Sequence, residues 1–367
     1  MIFLSTLLFG TCFLSANVSC NEFKGQTFHD PVYQICDEKN VFIQHPSLED
    51  ILKLPLHPNK QVLLRILTED GMRLEDHTTT TKYSLKEGFT SLPIYLQPLN
   101  IEAVYGQDQG YRFYRSTEST THWIVNFSDE LFLNFIETEL YAQEEYLASC
   151  IPSLYFVRRA LKEISPEILE IGENAVVATK GAKLYGRVDT FSPLAKSGLS
   201  IYGNQFQNTD IEDLIPLTQI EPYPYPLNIL SIVAPDCGTE KCGQKYARAD
   251  LETLLKQAFL GMMVVKESSN SNPITVETGN WGAGSFGNSP IVTALMQLLA
   301  AHCAGIDQLI FYPLENQSSW EYTLEIFYNV VVPKICDGEI VTLKDFLDFL
   351  ESSSEEFHLT YGKSNLT

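Results

Sequence analysis

Along the second half of the chain, short apolar runs alternate with longer stretches that are apolar at every third or fourth position. HWIVNF (122–127), AVVAT (175–179), LNILSIVAP (227–235), ITVET (274–278) and QLIFYPL (308–314) predict five strands. Between them, YAQEEYLASCIPSLYFVRRALKEI (141–164) predicts a helix broken near Pro152. Asp250 is expected to cap a helix whose apolar stripe is Leu251, Leu254, Leu255, Ala258, Phe259 and Met262. IVTALMQLLAAHCA (291–304) is apolar on nearly every side, which marks a buried helix, and TLKDFLDFLESS (342–353) predicts the last one. Such alternation builds an α/β sheet covered on both faces, with ligands at the carboxyl ends of the strands.

Residues 21–120 lack this rhythm and read as an accessory region. Ser47-Leu48-Glu49-Asp50 resembles a capping box opening a short helix that Pro55 and Pro58 stop. VLLRIL (62–67) fits a strand or a helix, and His77 through Thr81 reads as a polar loop. The segment 184–226 reads as loop-rich, with PYPYP (222–226) held extended.

Charge and cysteine usage narrow the chemistry. The formal net charge is -21, so a basic face for long nucleic acids is excluded as a binding mode. A phosphate ligand would have to be held locally, by backbone N–H groups and helix N-termini. MIFLSTLLFGTCFLSANVSC at the start has a short apolar core followed by small and polar residues, so residues 1–20 read as a signal peptide. Export is expected, with no stable membrane association once the signal is removed. Eight cysteines show no zinc-ligand spacing, and no metal or other cofactor is called for. Cys237 and Cys242 flank GTEK and are either a small disulfide loop or free thiols. Asn126 and Asn316 stand in N-x-S sequons, but Asn126 falls in a predicted core strand, where a glycan would not fit.

The most informative stretch is ITVETGNWGAGSFGNS (274–289), where a strand breaks into a Gly-rich turn and a helix follows. Gly282, Gly284 and Gly287 match G-x-G-x-x-G. A dinucleotide fold would need an acid at the end of the next strand, and Glu315 comes late for that. A Walker loop is excluded, since no G-K-[ST] follows. A Gly-rich turn without any ligand is the plain alternative.

The whole string decides the matter further. TGNWGAGSFGNS, then ALMQLLAAHCAG, then a strand, resembles the C-terminal part of the poly(ADP-ribose) glycohydrolase (PARG) family, a branch of the macrodomain fold that reads close to TGNWGCGAFGG. The resemblance implies a three-layer α/β/α macrodomain with a mixed central sheet over 121–315, flanked by 21–120 and by a helical extension at 316–367. It implies that the backbone N–H groups of Gly282, Ala283, Gly284, Ser285 and Phe286 hold the diphosphate of ADP-ribose, with Asn280 nearby. AQEEYL resembles the family's Q-E-E, on Gln143, Glu144 and Glu145, and Asp129 stands where the family has a ribose-contacting Asn. The family's run of three glycines is absent: LFLNFIETELYAQEE has none.

Cleavage at the anomeric carbon of ADP-ribose passes through an oxocarbenium-like transition state, so one acid must protonate the leaving oxygen and then accept a proton from water. Neighbours on a helix point about 100° apart, so two adjacent acids take different roles. By resemblance Glu145 is the general acid/base, Glu144 orients the ribose hydroxyls and Gln143 positions the pair; the division between the two acids stays open. Tyr202 or Phe206, and Phe311 or Tyr312, are candidates to stack on adenine, with core packing as the competing reading of each. The implied activity is metal-independent release of ADP-ribose from modified proteins or polymer ends. The alternative is a module that binds ADP-ribose without turning it over. If the chain is exported, delivery to a host or neighbour cell follows, since substrate is intracellular.

Overall fold

The computed structural model describes residues 13–14, 36–44, 53–68, 77–85, 88–105, 110–194, 198–270 and 273–362. The signal-peptide reading of residues 1–20, strand residues 13–14 apart, and the capping box at 47–50 lie outside them. Among the described residues, nine strands form one sheet: β1 (Phe13–Leu14), β2 (Cys36–Gln44), β3 (His77–Leu85), β4 (Asn100–Ala103), β5 (Thr121–Ser128), β6 (Ala175–Val188), β7 (Thr218–Val233), β8 (Ile274–Gly279) and β9 (Gln308–Tyr312). Their order is β1-β4-β9-β8-β5-β7-β6-β3-β2. The five central strands from β4 to β7 run parallel, while β1, β6, β3 and β2 are antiparallel to their neighbours. The sheet is therefore mixed.

The described helices are α1 (Pro58–Thr68), α2 (Gln143–Cys150), α3 (Ser153–Ile164), α4 (Pro166–Leu169), α5 (Ile211–Leu217), α6 (Arg248–Ser268), α7 (Pro290–Ala304), α8 (Gln317–Ile326), α9 (Val332–Cys336) and α10 (Leu343–Ser352). Strand side chains alternate between the two faces of the sheet. Trp123, Val125, Leu230, Ile232 and Leu309 pack with Leu254, Leu298 and Phe346 of α6, α7 and α10. Ile124, Ile229, Val233 and Ile310 pack with Leu63, Leu147 and Val157 of α1, α2 and α3. Three layers, α/β/α, result. Because α7 lies inside one of the outer layers, both its faces are covered, which is why its sequence is apolar all round.

Several expectations need correcting. His77–Thr81 is not a loop but the start of β3: Thr78 and Thr80 are buried and Thr79 is half-buried, a pairing of small β-branched residues with β6. Residues 62–67 belong to α1, and Pro58 opens that helix, at a position where its missing N–H costs nothing. The stretch 184–226 is largely ordered: β6 runs on to Val188, α5 follows, and β7 starts at Thr218. Its prolines fit because this end of β7 pairs only with β6, leaving the other edge open, whereas β5 joins from Asn228 onward. Asp250 is not the cap of α6. The helix starts at Arg248 after Ala247, and Asp250 accepts hydrogen bonds from Lys241 Nζ (2.9 Å) and Tyr361 Oη (2.5 Å). The segment read as accessory contributes β2, β3, β4 and α1 to this one sheet and its cover.

Candidate active site

Four parallel strands, β5, β7, β8 and β9, end at one edge of the sheet, and the candidate residues gather there. Helix α2 begins just beyond β5, at Gln143. Gln143 finishes what the sheet leaves open. Beyond Ile124, β5 has no β8 partner on that side. The Gln143 amide fills the gap, accepting from Phe127 N (2.8 Å) and donating to Val125 O (2.9 Å) and Tyr111 Oη (3.3 Å). Its amide is thus a positioning group, and the first turn of α2 is locked to the strand end.

Glu144 is buried, and its Oε1 accepts three hydrogen bonds, from Asn126 Nδ2 (2.8 Å), Ser128 Oγ (2.7 Å) and Leu133 N (3.1 Å). Those bonds favour the anion, but desolvation and the neighbouring Glu145 outweigh them and push the carboxyl up to about 8. Glu145 is only 1% exposed. Its Oε2 accepts from Ala142 N (2.9 Å), so the side chain caps its own helix in the absence of a capping side chain at Ala142. Burial also raises this carboxyl, against the opposing pull of the Lys60 ammonium. The two acids point to different surroundings, as adjacent helical positions must: Glu144 to the β5 end and the 129–134 turn, Glu145 to Lys60 and Tyr202.

The Gly loop leaves the end of β8. Gly282 has φ 67°, and a Cβ there would lie 2.5 Å from the Ala234 Cβ, so only glycine lets this loop lie on the end of β7. Asn288 fixes the far side by donating to Pro235 O (2.8 Å) and Gly282 O (3.2 Å). Asn280 donates to Pro313 O (2.6 Å), which ties the loop to the end of β9. Within the loop, the Ala283 amide already donates to Asn280 O (3.2 Å), which corrects its expected role as a free donor. Among the described residues, the Gly282, Gly284 and Phe286 amides have no acceptor. The Phe286 carbonyl accepts from Cys237 N (2.9 Å). Ser285 lies between these free amides.

The aromatic candidates separate cleanly. Phe311 is not a surface platform: it is 1% exposed and stacks on Trp320 at 3.9 Å with planes 6° apart. Phe206 is likewise buried, stacked on Tyr141 at 4.0 Å, and Tyr312 donates from Oη to Glu277 (2.7 Å). Tyr202 alone of the four is exposed, at 44%. Burial raises the pKa of its phenol, and the charges of Glu145 and Glu315 add to that rise. The next residue, Gly203, donates from N to Tyr141 O (2.9 Å), which sets Tyr202 near the segment that leads into α2. Asp129 turns inward on its own loop, accepting from Leu131 N (3.1 Å) and Asn134 Nδ2 (3.4 Å).

Four further groups at this edge went unread in the sequence. Asn126 and Ser128 hold Glu144. Glu277, fully buried, accepts from Arg112 N and Tyr114 N (both 3.0 Å), pinning the 111–114 segment so that Tyr111 reaches Gln143. Lys60 comes from α1. Each carried a signal: a polar or charged residue inside an otherwise apolar strand or stripe. Lys60 stands with Leu63, Leu64 and Leu67 at i, i+3, i+4 and i+7. Among the described residues, no group of three or more metal-ligating side chains exists, and no helix is long and apolar enough to cross a membrane. A separate cavity lined by Leu85, Phe89, Asn174, Glu252 and Lys256 lies on the β3–β6 flank and shares no residue with this edge.

The mixed α/β/α sheet thus carries the Gly loop at the end of β8 and the acid pair on the helix that follows β5. Residues 170–320 match the family described as Poly (ADP-ribose) glycohydrolase (PARG), Macro domain fold, so this part of the chain is similar to a PARG-like macrodomain. Comparison with curated protein sequences gives no match. Among solved structures, poly(ADP-ribose) glycohydrolase from Deinococcus radiodurans in complex with ADP-ribose is similar at 15% identity, covering 78% of this chain and 94% of that one, with a TM-score of 0.39. An Oceanobacillus iheyensis macrodomain with ADP is similar at 12% identity, covering 65% and 97%, with a TM-score of 0.36.

Proposed function

We propose that the chain is an ADP-ribosyl hydrolase that releases ADP-ribose from modified proteins or polymer ends. The observation that supports this reading is that loop amides without an acceptor, beyond the end of β8, and two buried acids, beyond the end of the neighbouring β5, lie at the same edge of the sheet. The diphosphate is held by the Gly282, Gly284 and Phe286 amides, which need no net positive charge to bind an anion. The anomeric carbon then lies toward α2. Glu145 protonates the leaving oxygen as the glycosidic bond breaks, and its carboxylate takes a proton from the incoming water as the new C–O bond forms. Glu144, immobilised by three donors, orients the ribose hydroxyls. Tyr202 stacks on or closes over the nucleotide.

A second reading, binding without turnover, is favoured by the missing glycine run, whose place is taken by a loop with bulky Phe132, Leu133 and Phe135. One experiment separates them. Wild type, Glu144→Gln and Glu145→Gln are incubated with Ser-, Arg-, Glu- and Tyr-linked ADP-ribosyl peptides and with polymer, and products are read by mass spectrometry. Glu145→Gln is expected to lose release by at least about 100-fold, the scale of a general acid–base contribution, while calorimetric binding of ADP-ribose survives. A wild type that binds ADP-ribose and releases none from any substrate leaves the binding module as the function.

A further inference from the structure

Lys60 is 1% exposed, an unusual place for an ammonium. It enters from α1, more than eighty residues before the acid pair in sequence, and donates from Nζ to Phe135 O (3.2 Å) in the loop joining β5 to α2. That loop is the one lacking the family-like glycines. It is held instead by buried cations. Arg158 of α3 donates to Phe132 O (2.9 Å), Lys60 to Phe135 O, and the α1 entry segment adds His57 N to Glu137 O (3.2 Å). The Lys60 ammonium lies in the electrostatic field of Glu145 first, then of Glu139 and Glu144, without forming an ion pair with any of them; His57 on its own segment senses it in turn. Around Glu145 stand Glu144 on the same helix, Asp129 on the loop, Lys60 on α1, and the phenols of Tyr141, Tyr155 and Tyr202. Lys60 is thus the cation that acts on Glu145 in this acidic cluster, while Arg158 acts on Glu144, Asp129 and Glu137.

We propose that Lys60 is a positioning residue of the acid pair, holding the β5–α2 loop by the Phe135 carbonyl and acting on Glu145 through its charge so that this acid can both give up and take back the proton of one cycle. This rests on the hydrolase reading. An acid with Glu145's burial and acidic neighbours would hold its proton too tightly to give it readily to the leaving oxygen in the first half-reaction, although as a carboxylate it would take one back from water. A buried ammonium nearby restores the balance. Lys60 itself is pulled down to about 8 by desolvation, with the nearby acids opposing that pull. The accessory helix is on this view part of the catalytic apparatus, although it touches no substrate.

Lys60→Met keeps the stem and removes the charge. Its expected effect is a fall in turnover of at least about tenfold near neutral pH, with ADP-ribose affinity within about threefold of wild type and the basic limb of the pH–rate profile, set by loss of the Glu145 proton, displaced to higher pH. Lys60→Arg keeps the charge and is expected to keep the limb in place. Infrared titration of the protonated carboxyl stretch reads the same displacement without turnover. The reciprocal test does not depend on Lys60→Met folding: in Glu145→Gln the ammonium loses the acid that acts on it most strongly, and its titration, followed by 15N NMR, is expected to move to lower pH. An active enzyme whose pH profile and carboxyl titration are unchanged by Lys60→Met, or whose Lys60 titration ignores Glu145→Gln, overturns the Lys60 assignment alone. A wild type that releases no ADP-ribose overturns the hydrolase reading and the proposal with it, whatever the titrations show.

Discussion

Glu144 accepts three hydrogen bonds and is still raised to about 8 from an ordinary 4.5, because desolvation and Glu145 act against those bonds. The consequence for stability has a definite sign. Above its ordinary value the unfolded chain has released this proton, while the folded chain keeps it until about pH 8. Folding therefore loses stability as pH rises through that window, with a slope of up to about 1.4 kcal/mol per pH unit for one such group. Glu144→Gln keeps an acceptor for the three donors and no longer titrates. Thermal melts at about pH 5 and about pH 8 are expected to show a smaller loss for the variant than for wild type. Equal losses would mean that Glu144 is ionised in the native state at neutral pH. Such a group is hard to read in a sequence. An E-E dipeptide occurs again at Glu355-Glu356, where both side chains are exposed. Only Asn126, Ser128 and the Leu133 amide, brought from the strand end and the following turn, distinguish the first pair from the second.

At the scale of elements, the Gly loop shows how far pattern reading reaches. The strand, turn and buried helix at 274–304 follow from composition and period, and the structure gives β8 and α7 there. Which amides remain free does not follow, because that depends on the turn's internal bonding, in which Ala283 is used and Gly284 is not. Gly282→Ala tests the loop. A left-handed φ costs a non-glycine residue about 1–2 kcal/mol, and the added Cβ would also collide with Ala234. The variant is expected to lose ADP-ribose affinity by at least about tenfold, one order being about 1.4 kcal/mol, as measured by calorimetry, with a smaller loss of thermal stability. Retained affinity would place the diphosphate elsewhere. α1 and β3 were harder to read for the opposite reason. Their polar positions, Lys60, Thr78 and Thr80, look solvent-facing in sequence but are covered in the fold.

At the scale of the whole molecule, the thiols report on environment. Cys150 and Cys237 are buried free thiols, each raised to about 12 by desolvation; Cys242 is an exposed free thiol; Cys336 is disulfide-bonded. Cys237 and Cys242 therefore do not close the GTEK loop. Alkylation of the native protein followed by mass spectrometry is expected to label Cys242 readily, Cys150 and Cys237 only on unfolding, and Cys336 only after reduction. A Cys336 that alkylates without reductant contradicts this pattern. A disulfide suits an oxidising compartment, which supports the proposal, read first from residues 1–20, that the protein is exported. N-terminal sequencing of material recovered outside the producing cell tests that proposal directly.

Local pattern alone determined the alternation of strands and helices after residue 121, the buried character of α7 and the Gly-rich turn, since each depends on neighbours within a few residues. The acid pair could be located only by likeness to a family string. What the tertiary structure decided was everything that depends on distant partners: that Cys36–Gln44, His77–Leu85 and Asn100–Ala103 complete the same sheet, that Phe311 lies beneath Trp320 while Tyr202 stays exposed, and that a lysine from α1 is buried against the Phe135 carbonyl of the loop leading to the acid pair. Periodicity reports which face of an element is covered. It is silent on what covers it, and the charge and proton affinity of a buried acid are set by that covering.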